Sequence, residues 1–105
     1  MFYRWQDIEG KEVKPGVRRT TIVGQNVSVS YVELEAGVST PLHQHEHEQI
    51  VTVVEGEMQF ETDEESRVLR KGEAVVFGPN VPHLGRALNG PALVWEALSP
   101  ARHEA

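Results

Sequence analysis

Glycine and proline interrupt this chain at short intervals and so limit the elements that it can form. They stand at Gly10, Pro15, Gly16, Gly24, Gly37, Pro41, Gly56, Gly72, Gly78, Pro79, Pro82, Gly85, Gly90, Pro91 and Pro100. Both residue types disfavour helix interiors. The one long interval, residues 57–71, alternates in polarity around an acidic turn, as a hairpin does. The pattern therefore predicts short strands and no long helix.

The segments between these residues have the composition of β-strands. Their β-branched and aromatic side chains favour a pleated, half-buried surface. The strand candidates are residues 17–23, 27–35, 50–54, 58–62, 67–71, 74–77 and 92–98. Several short strands separated by turns indicate an all-β sandwich or small barrel. With 105 residues in all, we expect one domain over residues 1–105.

Charge and cysteine content exclude several functions. The formal net charge of -6 argues against binding nucleic acid or an anionic membrane. Without cysteine, the chain has no disulfide, no thiolate nucleophile and no cysteine metal ligand. No apolar run approaches the roughly 20 residues of a membrane helix, and residues 1–10 contain no apolar segment of signal-peptide length. We therefore expect a cytoplasmic protein whose partner is a small molecule.

The segment PLHQHEHEQ, residues 41–49, contains three of the five histidines. In a strand, His43 and His45 project to one face because side chains two residues apart do so. Gln49 has the same parity, and His83, after a proline-rich turn, is the natural third imidazole. Such ligands suit one divalent ion, with Zn, Ni, Fe, Mn, Co and Cu not distinguishable, and leave coordination positions open for water or substrate.

Histidines in a polar loop are also often simply solvated, and the HxH pattern alone is weak evidence for a metal site. We interpret His47 and His103 in this way. Within the cluster, His47 is still the one residue that can replace Gln49 as a ligand.

The spacing around the first histidines resembles that of the cupin superfamily. The first cupin motif is GxxxxxHxHxxxExxxxxxG. Gly37, His43, His45 and Gly56 stand at its fixed positions, and Gln49 replaces the glutamate. This first motif covers residues 37–56.

The second cupin motif, GxxxxxPxGxxHxxxN, is matched over residues 72–87 by Gly72 and His83. Gly78 replaces the proline and Ala87 the final asparagine. Asn80 replaces the turn glycine, and asparagine tolerates a left-handed backbone best among the other residues. The resemblance implies a double-stranded β-helix (jelly-roll) barrel with a metal at its mouth, held by His43, His45, Gln49 and His83.

A narrower resemblance rests on GVRRT near the start, HQHEHEQ with its glutamine, and WEALSPARHE near the end. Together they are similar to the KdgF-type cupins of pectin degradation, which convert 4,5-unsaturated monouronates into linear keto sugars. In that family a carboxylate, a hydrophobic residue and an arginine line the site. By position these are Glu96, Leu98 and Arg102, although the family has aspartate and phenylalanine at the first two. The resemblance implies a metal-dependent isomerase- or tautomerase-like enzyme acting on a sugar acid.

Glu96 has two interpretations from strand alternation. It shares a face with Val94 and Leu98, where a glutamate is costly to bury unless it is paired or functional. If this face lines the barrel, Glu96 is a candidate general acid and base. If it is the outer face, Glu96 is merely exposed.

Three arginines are candidates to bind a substrate carboxylate, because the planar guanidinium can grip a carboxylate with two hydrogen bonds. Arg102 is the first candidate. Arg18 and Arg19 come next and point to opposite sides of their strand. Arginines in such strands are also commonly solvated or in surface ion pairs.

If Glu96 points inwards, Trp95 and Leu93 point outwards. Large apolar side chains on the outside of a barrel indicate a further covering layer, and we expect a homodimer to which Phe2, Tyr3 and Trp5 contribute. Packing within one chain explains the same residues nearly as well.

Two other functions stay open. One is an oxygenase of the quercetin-dioxygenase type with iron, copper or nickel on the same ligands, which a wide apolar mouth would favour. The other is a cupin that binds a small molecule without turnover, which a solvent-facing Glu96 would favour. A carboxylate-binding arginine favours the sugar acid.

Overall fold

A computed structural model describes residues 1–102 of the chain; His103, for which we expect a solvated side chain, lies outside the described residues. It contains a short 3-10 helix, Trp5–Asp7, and seven strands. The strands are β1 (Lys11–Lys14), β2 (Val17–Val23), β3 (Ser28–Leu34), β4 (Glu48–Thr62), β5 (Ser66–Leu69), β6 (Ala74–Phe77) and β7 (His83–Ser99). The prediction of an all-β fold is confirmed. Over residues 1–102, no helix has the length and apolar character to span a membrane.

All strand pairs are antiparallel, in the order β1-β2-β3-β7-β4-β5, and β6 pairs with β4 as well. The long strands β4 and β7 pair from Glu48–Ser99 to Thr62–His83. The first half of β4 has β6 on its other edge, and the second half has β5. Register shifts between Val53 and Glu57 mark β-bulges, which bend a strand. The bent pair joins the two sides of the jelly-roll barrel.

Gly56 lies at the bend of β4. Its φ is +79°, a conformation that costs any residue with a side chain. A Cβ atom there would stand 2.4 Å from the carbonyl oxygen of Pro91 on β7. The sequence predicts separate strands at 50–54 and 58–62, and this is wrong, because the glycine bends one continuous strand. The strand predicted at 92–98 likewise extends back to His83.

The interior is filled by the alternate side chains of these strands. Met58 and Phe60, for which we expect interior positions, are 2% and 9% exposed. The core comprises Val17, Val32, Leu34, Val51, Val53, Met58, Phe60, Leu69, Phe77, Ala87, Ala92 and Val94. On the outer side, Trp95 packs edge-to-face against Trp5 and Tyr31, with ring centroids 5.0 and 4.9 Å away. The chain itself therefore covers part of Trp95.

Candidate metal centre

The loop that precedes β4 lies along the start of β7 and brings two histidine segments together. Gly37 N–H donates to the carbonyl oxygen of Ala87 at 3.1 Å. Further along, His43 N–H donates to the carbonyl of His83 at 3.1 Å, and His83 N–H donates back at 2.9 Å. The two halves of the predicted cluster, distant in sequence, thus face each other as a backbone-bonded pair.

Each of the three histidines of the centre has its ring orientation set by a backbone carbonyl. The Nδ1–H of His43 donates to Pro41 at 2.7 Å, that of His45 to His47 at 3.1 Å, and that of His83 to Val81 at 2.8 Å. A carbonyl oxygen only accepts, so in a neutral ring the free lone pair is on Nε2. Partners of this kind fix the tautomer of metal-binding histidines.

The three rings converge. The potential ligand atoms of His43, His45 and His83 all lie within 4.8 Å of one another. His83 is 3% exposed, and among the described residues its buried Nε2 has no hydrogen-bond partner. Burial lowers the pKa of His83 against the opposing effect of its bond to Val81, and the neighbouring histidines lower it further. A neutral ring with an unpaired lone pair fits a divalent ion, and the three histidines are positioned to hold one.

Phe77 and Asn80, which precede His83 in the chain, hold the ring of His83 and its loop in place. The ring of Phe77 stacks on that of His83, with centroids 4.2 Å apart and planes at 6°. Asn80 has a φ of 61°, which confirms the left-handed conformation expected where it replaces the turn glycine. Its N–H donates to the carbonyl oxygen of His45 at 2.7 Å. The turn is therefore bonded directly to the other histidine segment.

Gln49 stands between the histidines and a buried carboxylate. Its Oε1 lies 3.0 Å from Nε2 of His45, and its Nε2 donates to Oε2 of Glu96 at 2.8 Å. A carbonyl oxygen faces each nitrogen of His45, so the neutral ring can donate to His47 or to Gln49 but not to both. With the proton on Nδ1, the two atoms that face each other, Nε2 of His45 and Oε1 of Gln49, both present lone pairs. Two ligand atoms about 2.1 Å from one ion and at a right angle lie about 3 Å apart. The spacing fits a shared ion, and the ligand role of Gln49 stays a prediction.

Glu96 is buried, at 8% exposure, on the same face as Val94 and Leu98. Of the two interpretations of strand alternation, the structure matches the interior one. Arg19 reaches it from β2: its Nε lies 3.3 Å from Oε1 of Glu96, an ionic contact without hydrogen-bond geometry. Burial lowers the pKa of Arg19, which Glu96 opposes, and the nearby positive charge of Arg102 lowers it further.

The remaining predicted residues divide into two groups. Leu98 is 1% exposed and pairs with Gln49 across the ladder, so it lies beside the centre. Arg102 is half-buried, and its N–H donates to Oγ of Ser28 at 2.8 Å. Arg18 is exposed and lines an outer groove of about 440 Å³ with Trp95. The structure therefore places Arg19 beside Glu96, brings the charge of Arg102 near Arg19, and leaves Arg18 on the opposite face.

Sequence reasoning missed two supporting residues. Ser28 anchors the backbone of Arg102, and Phe77 stacks on His83. The first had a signal, since Ser28 shares parity with Val32 and Leu34 and is a polar residue on a core face. Nothing in the local pattern distinguishes Phe77 from any other core aromatic residue.

Residues 30–95, which include both histidine segments, match the family model of the cupin domain. The chain belongs to the cupin family, and the resemblance seen in its two motifs is confirmed. Within that family it is a small, KdgF-like cupin. The solved structure of KdgF from Halomonas sp. has 30% sequence identity and a TM-score of 0.91, and the match covers 98% of this chain and 96% of that one.

Other solved structures share the fold at lower identity. An RmlC-like cupin from Shewanella frigidimarina is 24% identical with a TM-score of 0.91, over 97% of this chain and 92% of that one. The oxalate decarboxylase of Lactobacillus farciminis is 15% identical with a TM-score of 0.83, over 93% of this chain and 32% of that one. No curated protein gives a significant match by sequence.

Proposed function

We propose that this cupin converts 4,5-unsaturated uronates, the products of pectate and alginate lyases, into linear keto sugars. The observation that carries the proposal is a buried carboxylate, Glu96, placed between Gln49 of the metal centre and the guanidinium of Arg19. The similarity to KdgF of Halomonas sp. supports it. The substrate would be a small sugar acid in the cytoplasm, where the sequence predicts the protein to be.

Arg19 and Arg102 would bind the carboxylate of the substrate. The guanidinium of Arg19 lies beside the carboxylate of Glu96, and the positive charge of Arg102 is near enough to act on Arg19. The surplus positive charge in a half-buried place complements a uronate, and guanidinium groups can hold a carboxylate by paired hydrogen bonds. Arg18 takes no part in this proposal, because its side chain lies on the other face of β2.

His43, His45 and His83 would hold one divalent ion, with Gln49 as the fourth ligand. Such an ion, when bound, supplies Lewis acidity towards a hydroxyl or enol oxygen of the substrate. The backbone bonds to Nδ1 keep the three rings in the orientation that leaves Nε2 free. Leu98 would form the apolar wall next to Gln49.

Glu96 would move the protons of the reaction. As the ring opens, the bond between C1 and the ring oxygen breaks, and the proton of the C1 hydroxyl passes to the ring oxygen. C1 becomes an aldehyde carbonyl, and the ring oxygen becomes an enol hydroxyl at C5. Glu96 then takes the enol proton from the oxygen and gives it to C4, which becomes the methylene beside the new C5 ketone. Proton loss at oxygen balances proton gain at carbon, so the conversion is redox-neutral.

The first prediction tests this activity directly. Metal-loaded wild-type protein should remove the ultraviolet absorbance of an unsaturated uronate, whose conjugated enol ether is lost on conversion. His43→Ala should be at least about 100-fold slower, since the Lewis acid contributes several kcal/mol to the barrier. Nuclear magnetic resonance should identify the linear keto sugar. Equal rates for wild type, variant and buffer would contradict the proposed activity while leaving the fold intact.

An oxygenase is the second candidate, and one observation favours it. A groove of about 610 Å³ next to the turn that precedes His83 is lined by the apolar residues Phe60, Leu69 and Phe77 together with the charged residues Asp63, Glu64, Glu65 and Arg67, and its apolar part suits an apolar substrate. The same metal-loaded sample, given a flavonol, should consume no oxygen if the uronate reaction is correct. Binding of the uronate without turnover would instead indicate a non-catalytic cupin.

We also propose that two copies associate through the outer face of the sheet. An apolar row crosses five neighbouring strands there: Val76, Ile50, Ala97, Val29 and Ile22. Ile50 and Val76 are 44% and 59% exposed. A standard interface buries about 800 Å² per partner, roughly an eighth of this chain's surface of 6636 Å². A flat row without charge suits contact with an identical copy.

Ile50→Glu should convert the dimer into a monomer, because two glutamates would be buried at the centre of the contact without partners. Sedimentation velocity over a range of concentrations measures this. The matched control is Val68→Glu, a similarly exposed valine on β5 outside the row, which should leave the dimer intact. A wild-type monomer at all concentrations, or an unchanged dimer in Ile50→Glu, would refute the proposed interface.

A further inference from the structure

Arg19, Glu96 and Gln49 form a continuous polar chain that ends at the histidine cluster. We propose that this chain selects which end of the Gln49 amide faces the metal: Glu96 is the positioning residue that turns the amide, and Arg19 occupies the other end of residue 96. The inference rests on the proposed role of Gln49 as fourth ligand, and it adds a residue, Arg19, that touches neither the metal nor Gln49.

The amide of Gln49 has one end that can bind a metal and one that cannot. Its oxygen has lone pairs, whereas its NH₂ group only donates. In the structure the NH₂ group donates to Oε2 of Glu96 at 2.8 Å, which turns Oε1 towards His45. A half-turn of the amide would put two acceptors together at Glu96 and point the NH₂ group at the histidine lone pairs. The carboxylate, which offers only acceptors, therefore selects the productive orientation.

Arg19 holds the other oxygen of Glu96 from two strands away. Its Nε lies 3.3 Å from Oε1, and the two side chains are 17% and 10% exposed. On the intervening strand, Ser30 stands opposite Glu96 and is fully buried. Its hydroxyl is bonded to that of Thr21 at 2.8 Å. The carboxylate thus accepts a hydrogen bond from Gln49 on one side and faces the positive charge of Arg19 on the other.

Glu96→Gln tests this selection, because an amide at residue 96 has one acceptor end and one donor end. Arg19 needs an acceptor and would take the oxygen. The new NH₂ group would then face Gln49, whose amide would turn and present its own NH₂ group to the ion. Removing Arg19 as well would allow the amide at residue 96 to turn its oxygen towards Gln49 again. The two substitutions should therefore be non-additive, with the second repairing the first.

The experiment uses cobalt(II) as the probe and needs no substrate. The visible spectrum of the cobalt-loaded protein reports the ligands, and competition with a chelator gives the affinity. Glu96→Gln should show the spectrum of Gln49→Ala and bind cobalt about 10- to 100-fold more weakly than the wild type. The double variant Arg19→Met/Glu96→Gln should return to within about three-fold of the wild type. Arg19→Lys, which keeps a cation beside Glu96, should retain the wild-type spectrum.

Arg18→Met is the matched control, since Arg18 is adjacent in sequence but lies on the outer face; its spectrum and affinity should not change. Glu96→Gln with a wild-type spectrum, or a double variant as weak as Glu96→Gln, would overturn the inference. A wild-type spectrum in Gln49→Ala would overturn it as well, by removing its premise. A protein that passes these tests but leaves uronates unchanged would refute only the proposed activity.

Discussion

His83→Ala weakens divalent metal binding by more than about 100-fold, because loss of a partner outside the ligand set already costs about 10- to 100-fold. His83 is the buried member of the cluster, and its Nε2 has no other partner among residues 1–102. Its backbone bonds to His43 do not involve the side chain, so the loop remains attached in the variant. The loss of affinity therefore results from the missing ligand and not from a detached loop.

His47→Ala is the control for this variant. His45 bonds to the backbone carbonyl of His47, which alanine keeps, and the ring of His47, 5.2 Å from that of His45, is not one of the three that converge. Metal affinity should therefore stay within about two-fold of the wild type. Titration calorimetry measures both affinities. Thermal unfolding gives a second measurement, since an ion at 100 times its Kd adds about 2.7 kcal/mol to stability, and His83→Ala should lose that gain. If His47→Ala weakens binding and Gln49→Ala does not, His47 is the fourth ligand.

The histidine cluster could be predicted because its information is local. The HxH spacing places two rings together whatever the rest of the chain does. The second cupin motif, matched by Gly72 and His83, indicates the third ring. The charged neighbours could not be predicted in the same way. Alternation assigns Arg18 and Arg19 to opposite faces, and only the sheet as a whole decides which face is the interior.

The contact between Arg19 and Glu96 shows a further limit of sequence reasoning. It crosses β3, so it depends on the register of two strand pairs. Register is set by packing over the whole barrel. A sequence pattern therefore identified Glu96 as a residue of interest without indicating its partner.

The strands themselves were predicted by composition, but their lengths were not. The sequence pattern predicts an interruption at Gly56 and at Gly90, where the structure has continuous strands, β4 and β7, with a left-handed backbone at each glycine. Glycine occurs both at the ends of strands and at bulges inside them, so the residue type alone does not distinguish the two. The need for glycine at residue 56 follows from the carbonyl oxygen of Pro91, which lies too close to allow a Cβ atom there.

Gly56→Ala therefore lowers the free energy of unfolding by about 3 kcal/mol. A left-handed backbone costs a residue with a side chain about 1–2 kcal/mol, and overpacking against a neighbour that cannot move costs about 1–3 kcal/mol more. Here the neighbours are the carbonyl oxygen of Pro91 at 2.4 Å and Cα of Ala92 at 3.0 Å, both backbone atoms. Relief comes only by opening the bend where β4 and β7 pass from one side of the barrel to the other.

Gly72→Ala separates the two costs. Gly72 has nearly the same backbone, with φ +85°, but a Cβ atom there meets nothing within 4 Å. This variant should lose only about 1 kcal/mol, the conformational cost alone. Urea unfolding of the metal-free proteins gives the free energy of unfolding of both variants. It can be followed by tryptophan fluorescence, because Trp95 packs against Trp5 in the folded protein. Equal losses in the two variants would mean that the contact with Pro91 is relieved without cost, and that the first cupin motif needs this glycine for its backbone conformation only.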